Sequence, residues 1–217
     1  MACAPWLRIG LLALAVSMPL AAAEKAPTRA QALKAITQPA VDIRRAGVLR
    51  LGEIGTMTDV DQLLARLDDV DATVRLFANA SIWQIWGRSG DRAIDAMVAR
   101  GVQQMELSAL DEAVTTFSEI IRRKPAFAEA WNKRATVYYL LGDYASSMKD
   151  CDEVLRRNPN HFGALSGYGQ IQLVQGNPEQ AIVYFERALK VNPNIGNVAI
   201  TLQLLRRQLQ EKQDKTI

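Results

Sequence analysis

The chain has very few of the side chains that build catalytic and metal sites. It contains one histidine, His161, and two cysteines, Cys3 and Cys151. Metal clusters and nucleophilic sites need several such groups converging. We therefore predict no enzymatic activity of its own, no catalytic residues, no metal site and no cofactor, and we expect His161 in a surface turn between two helices.

Phosphate-binding glycine loops are also missing. Gly163, Gly167 and Gly169 have the spacing of helix-packing positions and lie inside a predicted helix rather than before one. Carboxylates are plentiful but scattered, and the cluster formed by Asp150 and its neighbours 152 and 153 is typical of a solvated helix face. No phosphate chemistry is indicated.

A strong charge of one sign is absent. The chain has 26 Lys and Arg against 23 Asp and Glu, a net charge of +3, and both signs are mixed along its length. Nucleic-acid-binding domains cluster basic groups on one face. Nucleic acid is therefore not a predicted partner.

Long apolar runs are limited to the N-terminus. Residues 1–23 carry one basic residue, Arg8, then a mostly apolar run over residues 9–20 and three alanines, which is typical of a secretory signal peptide. The run is short for the roughly 20 residues that span a bilayer, although an uncleaved anchor is the alternative. We predict export, to the periplasm, and no integral membrane span after cleavage.

Cleavage at residue 23 leaves Cys151 as the one remaining cysteine, so no internal disulfide is expected. Cys151 falls on an apolar helix position, which predicts a small buried hydrophobe. A reactive or intermolecular thiol is the alternative.

A 34-residue repeat dominates the second half of the chain. Pro125, Pro159 and Pro193 recur at this spacing and end copies that span residues 94–127, 128–161 and 162–195. Apolar and small residues recur at helical spacing within each copy, which predicts two amphipathic helices per copy. Gly142 and Gly176 suit the left-handed conformation after the first helix.

Capping residues follow those turns. Asp143 and Asn177 are predicted N-caps, and Pro178 suits the first helical position. Gln180 predicts a capping box with Asn177.

These copies resemble the tetratricopeptide repeat (TPR). The family pattern has a large residue at position 4, small residues at 8 and 20, an aromatic at 24 and proline at 32. Trp131, Ala135, Gly169 and Phe185 fit it, whereas the first copy is degenerate, with Met97 at position 4. The resemblance implies an all-α, right-handed α-solenoid of helix pairs, with three repeats over residues 91–195.

The resemblance also implies a concave groove lined by the first helix of each copy. The groove positions are held by Asp95, Val98, Val102, Met105, Glu129, Asn132, Thr136, Tyr139, Leu140, Ser166, Gln170 and Leu173. Family members that grip a C-terminal carboxylate use basic and amide side chains where this chain has Val98, Val102, Gly163 and Gly167. A further such position, where those members have an asparagine, holds Lys133. It is the one basic residue of the set, so carboxylate binding is not expected.

Residues 24–90 contain a second, shorter repeat. The stripe Ile43, Gly47, Leu51 and Ile54 recurs 31 residues later as Val74, Ala78, Ile82 and Ile85. This region resembles short HEAT-like repeats and is expected to continue into the array as one solenoid through a tight joint at residues 87–91.

Trp83 and Trp86 lie on one face of this region, either as a packing plug or as an exposed aromatic anchor for a partner. Past the repeats, residues 196–217 predict a C-terminal cap helix and a polar tail.

The predicted function is a non-enzymatic scaffold of the cell envelope that holds a protein or peptide partner in the groove. One alternative is a homo-oligomer formed through the Trp83 and Trp86 face or the C-terminal helix. The other is an accessory subunit of an envelope enzyme.

Overall fold

The computed structural model describes residues 26–214, and the predicted signal peptide lies outside them. Helices account for all regular structure in this range, with no strand. The α-helices are α1 (Arg29–Ala35), α2 (Val41–Ile54), α3 (Val60–Leu64), α4 (Ala72–Trp86), α5 (Arg92–Glu106), α6 (Leu110–Arg123), α7 (Ala128–Leu140), α8 (Tyr144–Arg157), α9 (Phe162–Val174), α10 (Pro178–Val191) and α11 (Gly196–Asp214). Short 3-10 turns at Met57–Asp59 and Ala65–Asp68 flank α3.

The three copies form the helix pairs α5–α6, α7–α8 and α9–α10, as predicted. The turns inside the second and third pairs place Gly142 and Gly176 at φ of 78° and 80°. The first copy lacks this glycine, and Ser108 adopts φ 59° in its place, a conformation that disfavours a side chain. The backbone path of the turn is therefore kept even where the sequence does not favour it.

Small residues let the two helices of a pair approach closely. A Cβ at Gly101 would stand 2.6 Å from the Phe117 ring, and one at Gly169 would stand 2.6 Å from the Phe185 ring. The aromatic residue at position 24 thus fills the space that position 8 leaves empty.

Capping is confirmed in part. Asp143 accepts a hydrogen bond from the Ser146 amide, and Pro178 occupies the first turn of α10. The capping box predicted for Asn177 and Gln180 is wrong. The Asn177 side chain makes no cap hydrogen bond, and its amide nitrogen donates to the Gln172 side-chain oxygen at 3.0 Å instead.

The first helix of each pair packs on the preceding pair through positions 3, 7 and 10. Ala130 and Val137 in α7, and Ala164 and Ile171 in α9, are buried there. The same positions of α11 hold Val198, Leu202 and Leu205, which are buried in one core with Ala181 and Phe185. Helix α11 therefore takes the place of a fourth first helix, as a cap would.

The N-terminal helices form their own core. The predicted stripe of α4 is confirmed, and that of α2 is confirmed at Gly47 and Leu51 but wrong at Ile43. Val74, Ala78, Ile82 and Ile85 are all buried. In α2, however, Ile43 is exposed and the neighbouring Arg44 is buried instead. Its guanidinium donates to both carboxylate oxygens of Asp69, at 2.8 and 2.9 Å.

The expectation of one continuous solenoid is wrong. Positions 3, 7 and 10 of α5, held by Ala96, Arg100 and Gln103, are exposed, so no helix in the described range stacks on that end of the array. Helix α4 packs instead against the loops that join one pair to the next.

Contacts at all three of these loops fix the N-terminal helices. Lys124 donates to the Ser89 carbonyl, and the amides of Asn192 and Asn194 donate to Asn79 and to the Leu67 carbonyl at 3.0 and 2.8 Å. The remaining contact is the aromatic packing around His161 and Phe162 described below. The N-terminal helices therefore lie along the edge of the array.

Candidate functional site

A pocket lies between α7 and α9 on the concave side of the array. Its volume is about 120 Å³. It brings together four of the predicted groove residues, namely Asn132, Thr136, Tyr139 and Gln170. The small residues Gly163, Ala164 and Gly167 form its α9 wall, and Cys151 is among the residues at its base.

The pocket offers uncharged hydrogen-bonding groups. The Asn132 amide nitrogen donates to Glu129, which leaves the Asn132 side-chain oxygen free to accept a bond. The Thr136 hydroxyl donates to the Asn132 carbonyl at 3.0 Å, and no partner for the Gln170 amide occurs within residues 26–214. Amide groups of this kind suit the backbone of a bound peptide, which presents both donors and acceptors.

Glu129 does not line the groove as predicted. Its side chain is 3% exposed. It is bonded to Asn132, lies 3.1 Å from the His161 ring and has the Lys133 ammonium at 3.3 Å. Burial raises the pKa of the Glu129 carboxyl, but the hydrogen bond from His161 and the nearby Lys133 cation outweigh burial and hold that pKa below its usual range. The carboxylate is therefore a buried structural charge.

His161 was expected at the surface, and this expectation is wrong because its side chain is 1% exposed. Its Nδ1 accepts the Ala164 backbone N–H at 3.0 Å and so caps α9. Since Nδ1 is an acceptor, the ring proton lies on Nε2, and this N–H donates a hydrogen bond to the Glu129 carboxylate. His161 thus links the second repeat to the start of the third.

Of the two alternatives for the tryptophans, the structure shows the packing plug. Trp86 is 3% exposed and stacks on the His161 ring, with centroids 4.2 Å apart. Trp83 is half-buried and meets His161 and Phe162 edge to face at 5.4 and 5.3 Å. The prediction of an exposed anchor is therefore wrong for Trp86.

The other predicted groove residues lie outside this pocket. Val98, Val102 and Met105 are partly buried against the core of the first two repeats, and Leu173 packs on the core beneath α11. Asp95 accepts a bond from the Ser89 amide at 2.8 Å, which holds the joint before α5.

Ser166 and Leu140 are the two remaining predicted groove residues. The Ser166 hydroxyl is bonded to the Phe162 carbonyl at 2.7 Å. Leu140 is exposed at the end of α7. These two residues flank the pocket on α9 and α7.

The acidic cluster on α8 is solvated at Asp152 as predicted, but not at Asp150. Asp150 is buried and receives two hydrogen bonds from Arg134, at 2.7 and 2.8 Å. Its neighbour Cys151 is buried as predicted, and burial raises the pKa of the Cys151 thiol to about 12. These groups stabilise the second repeat.

Two further observations limit the chemistry of the described residues. Among them, histidine, cysteine and carboxylate side chains nowhere gather in threes as a metal site requires. Every helix between residues 26 and 214 is too short or too polar to span a bilayer.

Comparison with known sequences identifies the repeat. The tetratricopeptide repeat profile matches residues 128–161 and 164–195. A TPR repeat-containing protein of Rhizobium etli is 36% identical over 108 residues, which are 50% of this chain and 53% of that protein. The Hsp70-Hsp90 organizing protein of Triticum aestivum is 26% identical over 95 residues, which are 44% of this chain and 16% of that protein. The chain thus spans about half of the first relative and under a fifth of the second.

Solved structures share the fold at lower identity. The first TPR domain of Spaghetti (RPAP3) superposes with a TM-score of 0.52 at 21% identity, covering 54% of this chain and 93% of that domain. The Sgt2 TPR domain from Aspergillus fumigatus gives 0.53 at 17% identity, covering 57% and 83%. The second and third helix pairs thus match the tetratricopeptide repeat in sequence, and the fold of the array is shared by solved TPR domains.

Proposed function

We propose that this protein is a non-catalytic binding module that holds a segment of a partner protein in its concave groove. The pocket between α7 and α9 carries the proposal, because it combines apolar walls with the side-chain oxygen of Asn132 and the amide of Gln170, neither of which has a hydrogen-bond partner within residues 26–214. The first TPR domain of RPAP3, a structural neighbour, was solved with the HSP90 peptide SRMEEVD bound to it, which supports a peptide as the ligand class.

The chemistry of this groove favours a different peptide from that acidic one. A carboxylate in a groove needs cations or charge-assisted donors. Val98, Val102, Gly163 and Gly167 supply none, and the Lys133 ammonium is 3.3 Å from Glu129. We therefore propose an uncharged, largely apolar partner segment.

Selection from a displayed library of random linear peptides tests this function. We expect binders rich in apolar residues and no binding of SRMEEVD. The blocking variant is Gly167→Leu, since a Cβ at this glycine meets no atom within 4 Å and a larger side chain enters the pocket without disturbing the core. Ala96→Leu, on the exposed outer face of α5, adds the same side chain outside the groove as a control.

Each result bears on the proposal. Binding that is lost in Gly167→Leu and kept in Ala96→Leu supports it. Equal binding by both variants, or selection of acidic peptides like SRMEEVD, contradicts the groove as proposed.

We also propose that the protein works in the cell envelope, on the pattern of residues 1–23 alone. Mass analysis of the chain purified from its native cells tests this. A mature N-terminus at Glu24 supports export, whereas a full-length chain in the cytoplasm contradicts it.

A further inference from the structure

The groove continues past the third repeat onto α11. Because α11 packs through positions 3, 7 and 10 like α7 and α9, its positions 5 and 9 face the same side as Ser166 and Gln170 of α9. Those positions hold Ile200 and Leu204, which are 60% and 55% exposed. A cap needs a polar outer face, which α11 has at Gln203 and Arg206, so capping does not explain two exposed apolar residues on this side.

A second cavity confirms that α11 lies beside α9. It has a volume of about 220 Å³, its walls include Gln170 on α9 and Asn197 and Thr201 on α11, and Phe185 lies at its base. Asn197 and Thr201 share the α11 face of Leu204, at spacings of three, four and seven residues. Ile200 and Leu204 therefore border this cavity on its outer side.

The face of α9 between these cavities has almost no side chains. Gly163 and Gly167 lie there with Ser166 between them, and space around Gly167 is open to 4 Å. Gly167 borders both cavities described so far. The two cavities together form one trough that runs over α9, with α7 as one wall and α11 as the other.

Helix α4 closes one end of this trough. A cavity of about 310 Å³ at the start of α9 is bounded by Trp83 on α4 and by Gly163 and Ser166 on α9. The opposite end, beyond Leu173, has no such cover within residues 26–214. The trough thus has a closed end and an open end.

We propose that the occupant of this trough is an α-helix of the partner protein, with an apolar stripe and no acidic stretch. The proposal rests on the proposed function and names its ligand. The face of α9 between α7 and α11 borders two cavities, and one helix of about 10–12 Å diameter is the occupant that we assign to this space. The glycines of α9 let that helix approach closely.

Hydrogen bonding favours a helix over an extended strand. An extended backbone needs donors and acceptors along its whole length. The side chains of Asn132 and Gln170 can bond it at separate points, but between them the Ser166 hydroxyl is already bonded and glycine offers no side chain. A helix satisfies its own backbone and needs apolar walls, which Leu140 on one side and Ile200 and Leu204 on the other provide. Because no unpaired cation within residues 26–214 borders the trough, an uncharged stripe complements it.

The test is a displayed library of helical peptides, with the residues of one face randomised, selected against the mature chain. We expect binders with apolar residues at i, i+3, i+4 and i+7. Ile200→Glu and Leu204→Glu should each weaken their binding about tenfold or more, because each places a charge against buried apolar surface. Gln203→Glu, on the polar face of the same helix, is the matched control and should bind like the wild type.

The outcomes separate this proposal from the proposed function. If Gly167→Leu abolishes binding while both α11 variants bind normally, the groove ends at α9 and the extension onto α11 is wrong, although the proposed function stands. If no helical peptide is selected while random linear peptides still bind, the helical occupant is wrong and the proposed function stands; if none of these variants changes binding, both are contradicted. A proline in the middle of a selected peptide should reduce its affinity about tenfold or more, and unchanged affinity would show an extended occupant instead. Circular dichroism of each variant, expected to match the wild type at these exposed sites, shows that the fold is retained.

Discussion

Two glycines one helical turn apart in α9 should respond to alanine in opposite directions. Gly167 lies inside the helix with open space around it, so Gly167→Ala should raise the free energy of unfolding by up to about 1 kcal/mol through helix propensity. At Gly163, a Cβ would stand 2.5 Å from the Trp83 ring. Trp83 is held edge to face by Trp86, His161 and Phe162, at 5.2–5.4 Å, so it has little freedom to move.

Overpacking of this kind costs about 1–3 kcal/mol, and the propensity gain near the helix start offsets part of it. We therefore expect Gly163→Ala to lower the free energy of unfolding by about 1–2 kcal/mol. Urea unfolding followed by circular dichroism measures both variants. In a Trp83→Phe background the smaller ring should relieve most of the Gly163→Ala penalty.

The result that refutes this reasoning is equal stabilisation by the two alanines. It would mean that the Trp83 ring yields easily and that the N-terminal helices are not fixed against α9.

Two further predictions concern buried groups. Burial raises the pKa of the Cys151 thiol to about 12, so a thiol reagent at neutral pH should leave Cys151 of the folded chain unmodified. In concentrated urea the same reagent should modify Cys151 fully. Rapid modification of Cys151 in the folded chain would contradict the burial of this residue. Glu129→Ala leaves His161 and Asn132 without their buried acceptor and should lower the free energy of unfolding by about 2–4 kcal/mol at neutral pH. Because the folded-state pKa of Glu129 is lowered, its contribution is present above the unfolded pKa of about 4.3 and is lost as pH falls through the folded value. The difference between wild type and Glu129→Ala should therefore shrink in acid, and a difference independent of pH would contradict the charged assignment.

Local features of the repeat could be predicted from the sequence. The 34-residue spacing predicts all three helix pairs, and Gly142 and Gly176 predict their turns, because turn and helix chemistry act over a few residues. The same rules fail at Ser108, where the stacking of neighbouring helices imposes a left-handed backbone without glycine. They also fail at Asn177, where a longer side-chain partner, Gln172, competes for the predicted cap.

Long-range pairs could not be predicted in this way. Glu129 and His161 are 32 residues apart, and Trp86 reaches His161 from outside the array. One signal was available for His161: it occupies position 34, where Phe127 is also buried. Hydrophobic periodicity alone misplaced Ile43 of α2, because it assumed that a charged residue such as Arg44 faces solvent.

The placement of the N-terminal helices had no local signal. Their stripes predict that they pack, but not against which surface. The choice is made by aromatic packing of Trp83 and Trp86 around His161, and by the amides of Asn192 and Asn194, which are distant in sequence.

Photo-cross-linking in the native cells tests the groove most directly. The photo-reactive residue p-benzoylphenylalanine would replace Gln170 in the pocket or, in a second strain, Gln103 on the exposed outer face of α5. A partner held in the groove predicts a cross-linked protein from position 170 and none from position 103. Cross-linking from position 103 alone, or the same products from both positions, would contradict a partner bound in the groove.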